Sequence, residues 1–179
     1  MAADPTITPD DKDWTWVLDE ACPECGLDTR TIDPPQVADL IRANGAAWAA
    51  VLAQPDVRVR PRPDVWSPLE YACHVRDVFA LYDQRLALML DGDEQPARFA
   101  NWDQDVTAVE KDYRADDPLA VGPAILANAE ALAALFDAVS GAQWQREGLR
   151  SDGARFTVAT FSRYLIHDPV HHLWDVTPR

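Results

Sequence analysis

Trp66-Ser67-Pro68-Leu69-Glu70-Tyr71-Ala72-Cys73-His74 is the stretch on which the fold turns. Ser at the cap, Pro at the first helical position and Glu three residues after the cap make a capping box, so a helix opens at Pro68. Leu69, Cys73, Phe79, Leu86 and Met89 give that helix an apolar face, and Asp91-Gly92 stops it. His74 stands about two turns in.

The same signals recur on both sides. Upstream, Asp33-Pro34-Pro35 caps a helix whose apolar residues Val37, Leu40, Ile41, Trp48, Val51 and Leu52 recur at helical spacing until Gln54-Pro55. Arg60-Pro61-Arg62-Pro63 cannot continue it and reads as a crossing loop. Downstream, Asn101 to Tyr113 reads as a short helix. Asp117-Pro118 starts a long one through Val121, Ile125, Leu132, Leu135 and Val139 to Ser140-Gly141. Glu147 to Ala154 is a polar link, at most a short hairpin, and Thr157 opens a last helix through Phe161, Tyr164, Leu165, His167, His171 and Trp174. Four principal helices and no run of alternating strands predict an all-α bundle over residues 34–179. Residues 1–33 show no helical period and read as an extended amino-terminal arm, pinned to the body by Trp14, Trp16, Val17 and Leu18.

At 179 residues the chain fits one domain and needs no covalent staples. Its net charge of -14 comes from 30 acidic against 16 basic residues, with Lys only at Lys12 and Lys111. Nucleic acid is a poor partner for such a chain, because phosphate neutralisation needs clustered cations, and anionic lipid is disfavoured on the same ground. Arg and Asp interrupt the Ala/Leu-rich runs, so no membrane span is expected, and the first residues lack the pattern of a secretory signal. Three cysteines make no disulfide framework, and the cytoplasm is the expected compartment. No G-x-S-x-G elbow, P-loop or dinucleotide glycine fingerprint is present.

The four histidines fall in two places, His74 on one helix and His167, His171 and His172 on the last. His167 and His171 are four apart, so their side chains stand about 5–6 Å apart on one helical face and can grip one ion. A third ligand must come from another element, and His74 supplies it. Three neutral imidazoles suit Zn, Ni, Cu or Fe(II) and leave coordination positions open for water or substrate. Glu70 and Asp77 beside His74, and Asp175 beside His171, are placed to orient the rings. His172, five residues from His167, is rotated about 140° and points off this face. The bland alternative is a surface His pair and one satisfied core His. Pro169 also sits between the pair, where it removes the hydrogen bond to the Leu165 carbonyl and kinks the helix.

Trp66-Ser-Pro-Leu-Glu-Tyr-Ala-Cys-His74, followed much later by His167-Asp-Pro-Val-His171, resembles the DinB-like superfamily, which includes DinB/YfiT proteins and the metal-binding domain of mycothiol-dependent maleylpyruvate isomerase. The resemblance spans roughly residues 34 to 176. It implies a DinB-like four-helix bundle and a divalent metal, Zn or Ni, held by His74, His167 and His171. It also implies frequent homodimers and, in some relatives, transfer or isomerisation with a low-molecular-weight thiol cosubstrate such as mycothiol, acting on a small-molecule substrate. Coordination to a cation deprotonates a thiol near neutral pH, which gives that chemistry a physical basis. Pro169 is a departure from the family pattern.

Cys22-Pro-Glu-Cys25-Gly looks like half of a zinc knuckle whose other half is missing, since Cys73 is the one remaining thiol. A second zinc site, a reversible Cys22–Cys25 disulfide and plain structural thiols all remain open. Two functions follow for the chain as a whole. In a metal-dependent transferase, Arg76, Arg163 or another exposed Arg would hold an anionic substrate group, Tyr164 or Asp168 would assist proton transfer, and Trp66 and Trp102 would line the mouth of the pocket. In a non-catalytic metal-binding or stress-associated protein the metal shell would be sealed.

Overall fold

The computed structural model describes residues 6–9, 12–91, 93 and 95–177. Its α-helices are α1 (Val37–Leu52), α2 (Pro68–Asp91), the short α3 (Gln104–Glu110), α4 (Pro118–Ala138) and α5 (Val158–Val176). The caps are the expected ones. The Ser67 amide and hydroxyl both donate to Glu70 Oε2 at 2.8 Å, and Asp117 accepts from the Leu119 amide at the head of α4. Thr157 accepts from the Thr160 amide at the head of α5, and Asp33 forms a capping box over a 3-10 turn, Pro34–Gln36, that leads into α1. The expected stop at Gly92 lies outside the described residues.

Helices α1 and α2 sit on one diagonal of the bundle, and each packs mainly against both α4 and α5. Successive helices α1 and α2 are therefore not principal neighbours, and the Pro-rich segment between them carries the chain across. The core runs through Ile41, Trp48, Leu69, Phe79, Leu86, Ile125, Leu132 and Leu165, all fully buried. Where α1 meets α4 the approach is close: a Cβ added at Gly45 would lie 2.9 Å from the Ala129 Cβ. Gly45→Ala gains helix propensity of about 1 kcal/mol, but the facing atom is fixed to its own backbone and cannot swing aside. The helices must part, and a net loss of about 1–2 kcal/mol in urea unfolding is the expected result.

An ion-pair hub lies on α2. The Asp77 carboxylate accepts from Arg76 Nε at 2.9 Å, from Lys111 Nζ at 2.9 Å and from the buried Tyr113 hydroxyl at 2.6 Å. Arg76 also reaches Asp116 at 2.6 Å, and Glu70 pairs with Arg60. Burial works to raise the Glu70, Asp77 and Asp116 carboxyls, but these donors outweigh it and hold all three below their ordinary range.

Three features depart from the sequence reading. A small sheet joins the bundle: β1 (Ala97–Phe99) runs parallel to β2 (Glu147–Arg150), which pairs antiparallel with β3 (Arg155–Thr157). The fold is mainly helical rather than all-α. Strands of three or four residues are too short to show an alternating pattern. Secondly, the described part of the segment before α1 is not extended. Asp13 and Asp28 cap 3-10 turns at Trp14–Leu18 and Thr29–Thr31, which bury Val17 and Thr29 and pack on α5. Thirdly, α4 is by length and composition apolar enough to cross a membrane, because its alanines and leucines are interrupted only late, at Glu130 and Asp137. It buries Val121, Ile125, Ala129, Leu132, Ala133 and Phe136 in the bundle.

Candidate metal centre

Helix α5 lies between α2 on one side and the amino-terminal turns on the other. Each residue along it advances about 100°, so neighbouring positions look at different partners. Asp168 and His172 face α2, whereas His167 and His171 face the turns.

On the α2 side, the fully buried His74 sets Nε2 at 3.2 and 3.4 Å from the two Asp168 carboxylate oxygens. His172 Nε2 lies 3.8 Å from Asp168 Oδ1, and its ring meets His74 edge-on with centroids 4.8 Å apart. One ligand atom from each of His74, Asp168 and His172 can be chosen so that all lie within 4.8 Å of one another. A carboxylate only accepts, so His172 Nδ1 donates to Asp175 Oδ2, 3.0 Å away, leaving the Nε2 lone pair toward Asp168. Trp102 stacks on His74 at 5.2 Å and 11°, and the Trp66 ring packs tilted against it at 5.4 Å. Burial would raise the Asp168 carboxyl, but the facing His74 and His172 imidazoles prevail and hold it down to about 2. The donor set suits a divalent ion. With metal bonds of about 2.0–2.1 Å, nitrogen and oxygen ligands stand about 2.9 Å apart in octahedral and about 3.4 Å apart in tetrahedral geometry, which brackets the His74–Asp168 separations.

On the other side, Cys22, Cys25, His167 and His171 form a second group whose ligand atoms also lie within 4.8 Å of one another. The Gly26 amide donates to the Cys22 carbonyl and the Cys22 amide to the Leu27 carbonyl, both at 2.9 Å. Gly26, at φ +76°, supplies the left-handed residue that this turn requires. Cys22 Sγ is 3.6 Å from His171 Nδ1, while His171 Nε2 faces Glu24 at 3.2 Å. His167 is 4% exposed, and its Nε2 has no hydrogen-bond partner among the described residues. Burial, helped by the neighbouring His171, lowers His167 to about 4, and burial pushes the Cys25 thiol up to about 11.

The three sequence candidates are thus divided. His74 belongs to one cluster, and His167 and His171 belong to the other, because α2 and the amino-terminal turns approach α5 from different directions. Asp168 is not a ligand by the sequence pattern and His172 is expected to point off the ligand face, whereas His172 looks toward His74 and Asp168 lies with them. The signal was present as Asp168-x-x-x-His172, the same four-residue spacing moved on by one. Glu70 and Asp77 do not reach His74, being held by Arg60 and by the Arg76 hub. Pro169 does not break α5; Asn44 donates to its carbonyl at 2.8 Å and accepts from Trp48 Nε1 at 3.1 Å.

A cleft of about 870 Å³ opens over both clusters, lined by Asp168, His172, Trp102, Tyr82, Tyr164, Arg85 and Arg150 among others. Arg76 and Arg163 are committed elsewhere, Arg76 to its carboxylates and Arg163 to the Ile32 carbonyl at 3.0 Å. Arg150 binds Asp152 and the Tyr164 hydroxyl. Arg85 bonds the Ala100 carbonyl at 2.7 Å, yet its buried Nε has no acceptor among the described residues.

The profile of the DinB superfamily matches residues 38–176. Among solved structures the chain is similar to YfiT from Bacillus subtilis, described as a probable metal-dependent hydrolase with an unusual four-helix bundle topology. The TM-score is 0.66 at 18% identity, over 80% of this chain and 83% of that one. At that identity the likeness is one of fold. No curated protein matches the chain.

Proposed function

Since the chain belongs to the DinB superfamily, we propose that it is a metal-dependent enzyme in which His74, Asp168 and His172 hold one divalent ion, zinc or nickel, beside the cleft. The observation that carries this reading is the convergence of two imidazoles and one carboxylate from two helices, with Asp168 and His172 on the cleft wall. Such a donor set leaves coordination positions for a ligand from solution, as catalytic sites do. A divalent ion there supplies a water or thiol nucleophile that is deprotonated near neutral pH.

The remaining steps belong to the protein. Asp175 fixes the His172 tautomer, and Trp66 and Trp102 exclude water from His74. Arg85, on the cleft wall, orients an anionic group of a small substrate, and the Tyr164 hydroxyl, held by Arg150, is a proton-bearing group on the same wall. With water as nucleophile the reaction is hydrolysis, the class described for YfiT. With a low-molecular-weight thiol such as mycothiol it is S-transfer. Turnover of ester or amide substrates with and without added thiol separates the two.

The test is metal content by mass spectrometry. The His74→Ala, His172→Ala double variant, if still helical by circular dichroism, is expected to carry one equivalent of metal fewer than the parent and to lose turnover. Equal metal in parent and variant would sink the assignment. Metal lost without any effect on turnover would leave a non-catalytic metal-binding protein.

A further inference from the structure

We propose that Cys22, Cys25, His167 and His171 form a second metal site, a closed tetrahedral zinc centre of two thiolates and two imidazoles that fastens the amino-terminal turns to α5. Cys22 and Cys25, half of this donor set, lie outside the stretch matched by the family profile, which begins at residue 38.

Four observations carry the site. Zinc bonds of about 2.3 Å to sulfur and 2.0–2.1 Å to nitrogen place tetrahedral sulfur and nitrogen ligands about 3.6 Å apart. Cys22 Sγ and His171 Nδ1 are 3.6 Å apart. Secondly, the buried His167 Nε2 has no partner among the described residues, although a buried imidazole nitrogen ordinarily finds one. Thirdly, Glu24, inside the Cys-Pro-Glu-Cys turn, faces His171 Nε2 at 3.2 Å. It accepts that N–H and leaves the Nδ1 lone pair toward the thiols, as carboxylates commonly do for metal-bound histidines. Fourthly, the Trp14 ring lies 5.3 Å from both imidazoles and so packs the amino-terminal turn against them.

The charges balance as well. On binding, both thiols release their protons to solvent, the two thiolates neutralise the dication, and the imidazoles stay neutral. Four protein ligands of this softness select zinc and leave no position for substrate, so the centre is structural. The alternative chemistry of the pair, a Cys22–Cys25 disulfide, would remove two ligands and leave both histidines without a role.

The full-length chain, purified under reducing conditions, is stripped of metal and reloaded with cobalt(II). The parent is expected to show a thiolate-to-cobalt charge-transfer band. It should persist in His74→Ala, which removes a ligand of the other cluster, and disappear in the Cys22→Ser, Cys25→Ser double variant, which removes both thiolates. The parent spectrum decides the matter even if the double variant fails to fold. No charge-transfer band in the reduced parent overturns the proposal, and so does a band that survives in the double variant. A normal spectrum in a protein without turnover would instead fault the proposed function and leave this site standing.

Discussion

Asp77→Ala is expected to cost about 3–4 kcal/mol of unfolding free energy in urea at neutral pH, a large share of the 5–15 kcal/mol that holds a domain of this size. The loss has named parts. The Tyr113 hydroxyl, 1% exposed, loses its acceptor, which costs about 1–3 kcal/mol. Arg76 loses one of its two carboxylates, and a charge-assisted bond of this kind is worth about 1.5–3 kcal/mol. The Lys111 pair contributes little, because the lysine is half exposed. Asp77→Asn should recover part of the loss, since its amide oxygen still accepts from Tyr113. The effect has a definite sign with pH. Asp77 is depressed in the folded state, so its stabilisation is fully present above the unfolded value of about 3.9 and is lost as pH falls through the folded value. Glu70 and Asp116 follow the same course. Parent and Asp77→Ala should therefore converge in stability as pH drops below about 4. A gap that stayed constant down to the acid limit would show that the carboxylate charge is not what stabilises the hub.

Phe161→Ala should be as damaging, at about 3–5 kcal/mol, through lost burial and an unfilled cavity. Phe161 is 1% exposed, in the first turn of α5 after β3. Its ring meets Tyr82 on α2 at 4.8 Å, Phe156 on β3 at 5.9 Å and Phe99 on β1 at 6.0 Å. One side chain thus joins the sheet to two helices, and the site could collapse only if the strands moved. Phe161→Leu, which keeps more of the volume, is expected to lose well under half as much. Thermal unfolding of both variants measures this. An alanine variant within about 1 kcal/mol of the parent would mean that the sheet contributes little to the fold.

The sequence made the bundle legible because its helix starts are written in short-range chemistry. Ser67 with Glu70, Asp117 with Pro118 and Thr157 each satisfy local amides, and each opens the helix it was expected to open. The sheet was not legible, since β1 pairs with a strand some fifty residues later and neither is long enough to show a period. The metal groups were half legible. Residue type and order pointed to histidines on α2 and α5, yet which neighbour of a helical His looks inward depends on the approach of another element. One step of helix separates His171 from His172, and the two belong to different clusters. The same cause hid the partner of Cys22 and Cys25. The sequence holds no second C-x-x-C, and the residues beside Cys22 and Cys25 are those of His167-x-x-x-His171.

The distance in sequence between Cys22 and His171, 149 residues, sets the order in which the chain can be completed during synthesis. A ribosome adding about 5–20 residues per second needs roughly 7–30 s to pass from one to the other. Throughout that interval the nascent chain carries two thiols whose histidine partners do not yet exist. They are open to oxidation or to capture by stray metal, and the last helix to be made is the one that ends their exposure.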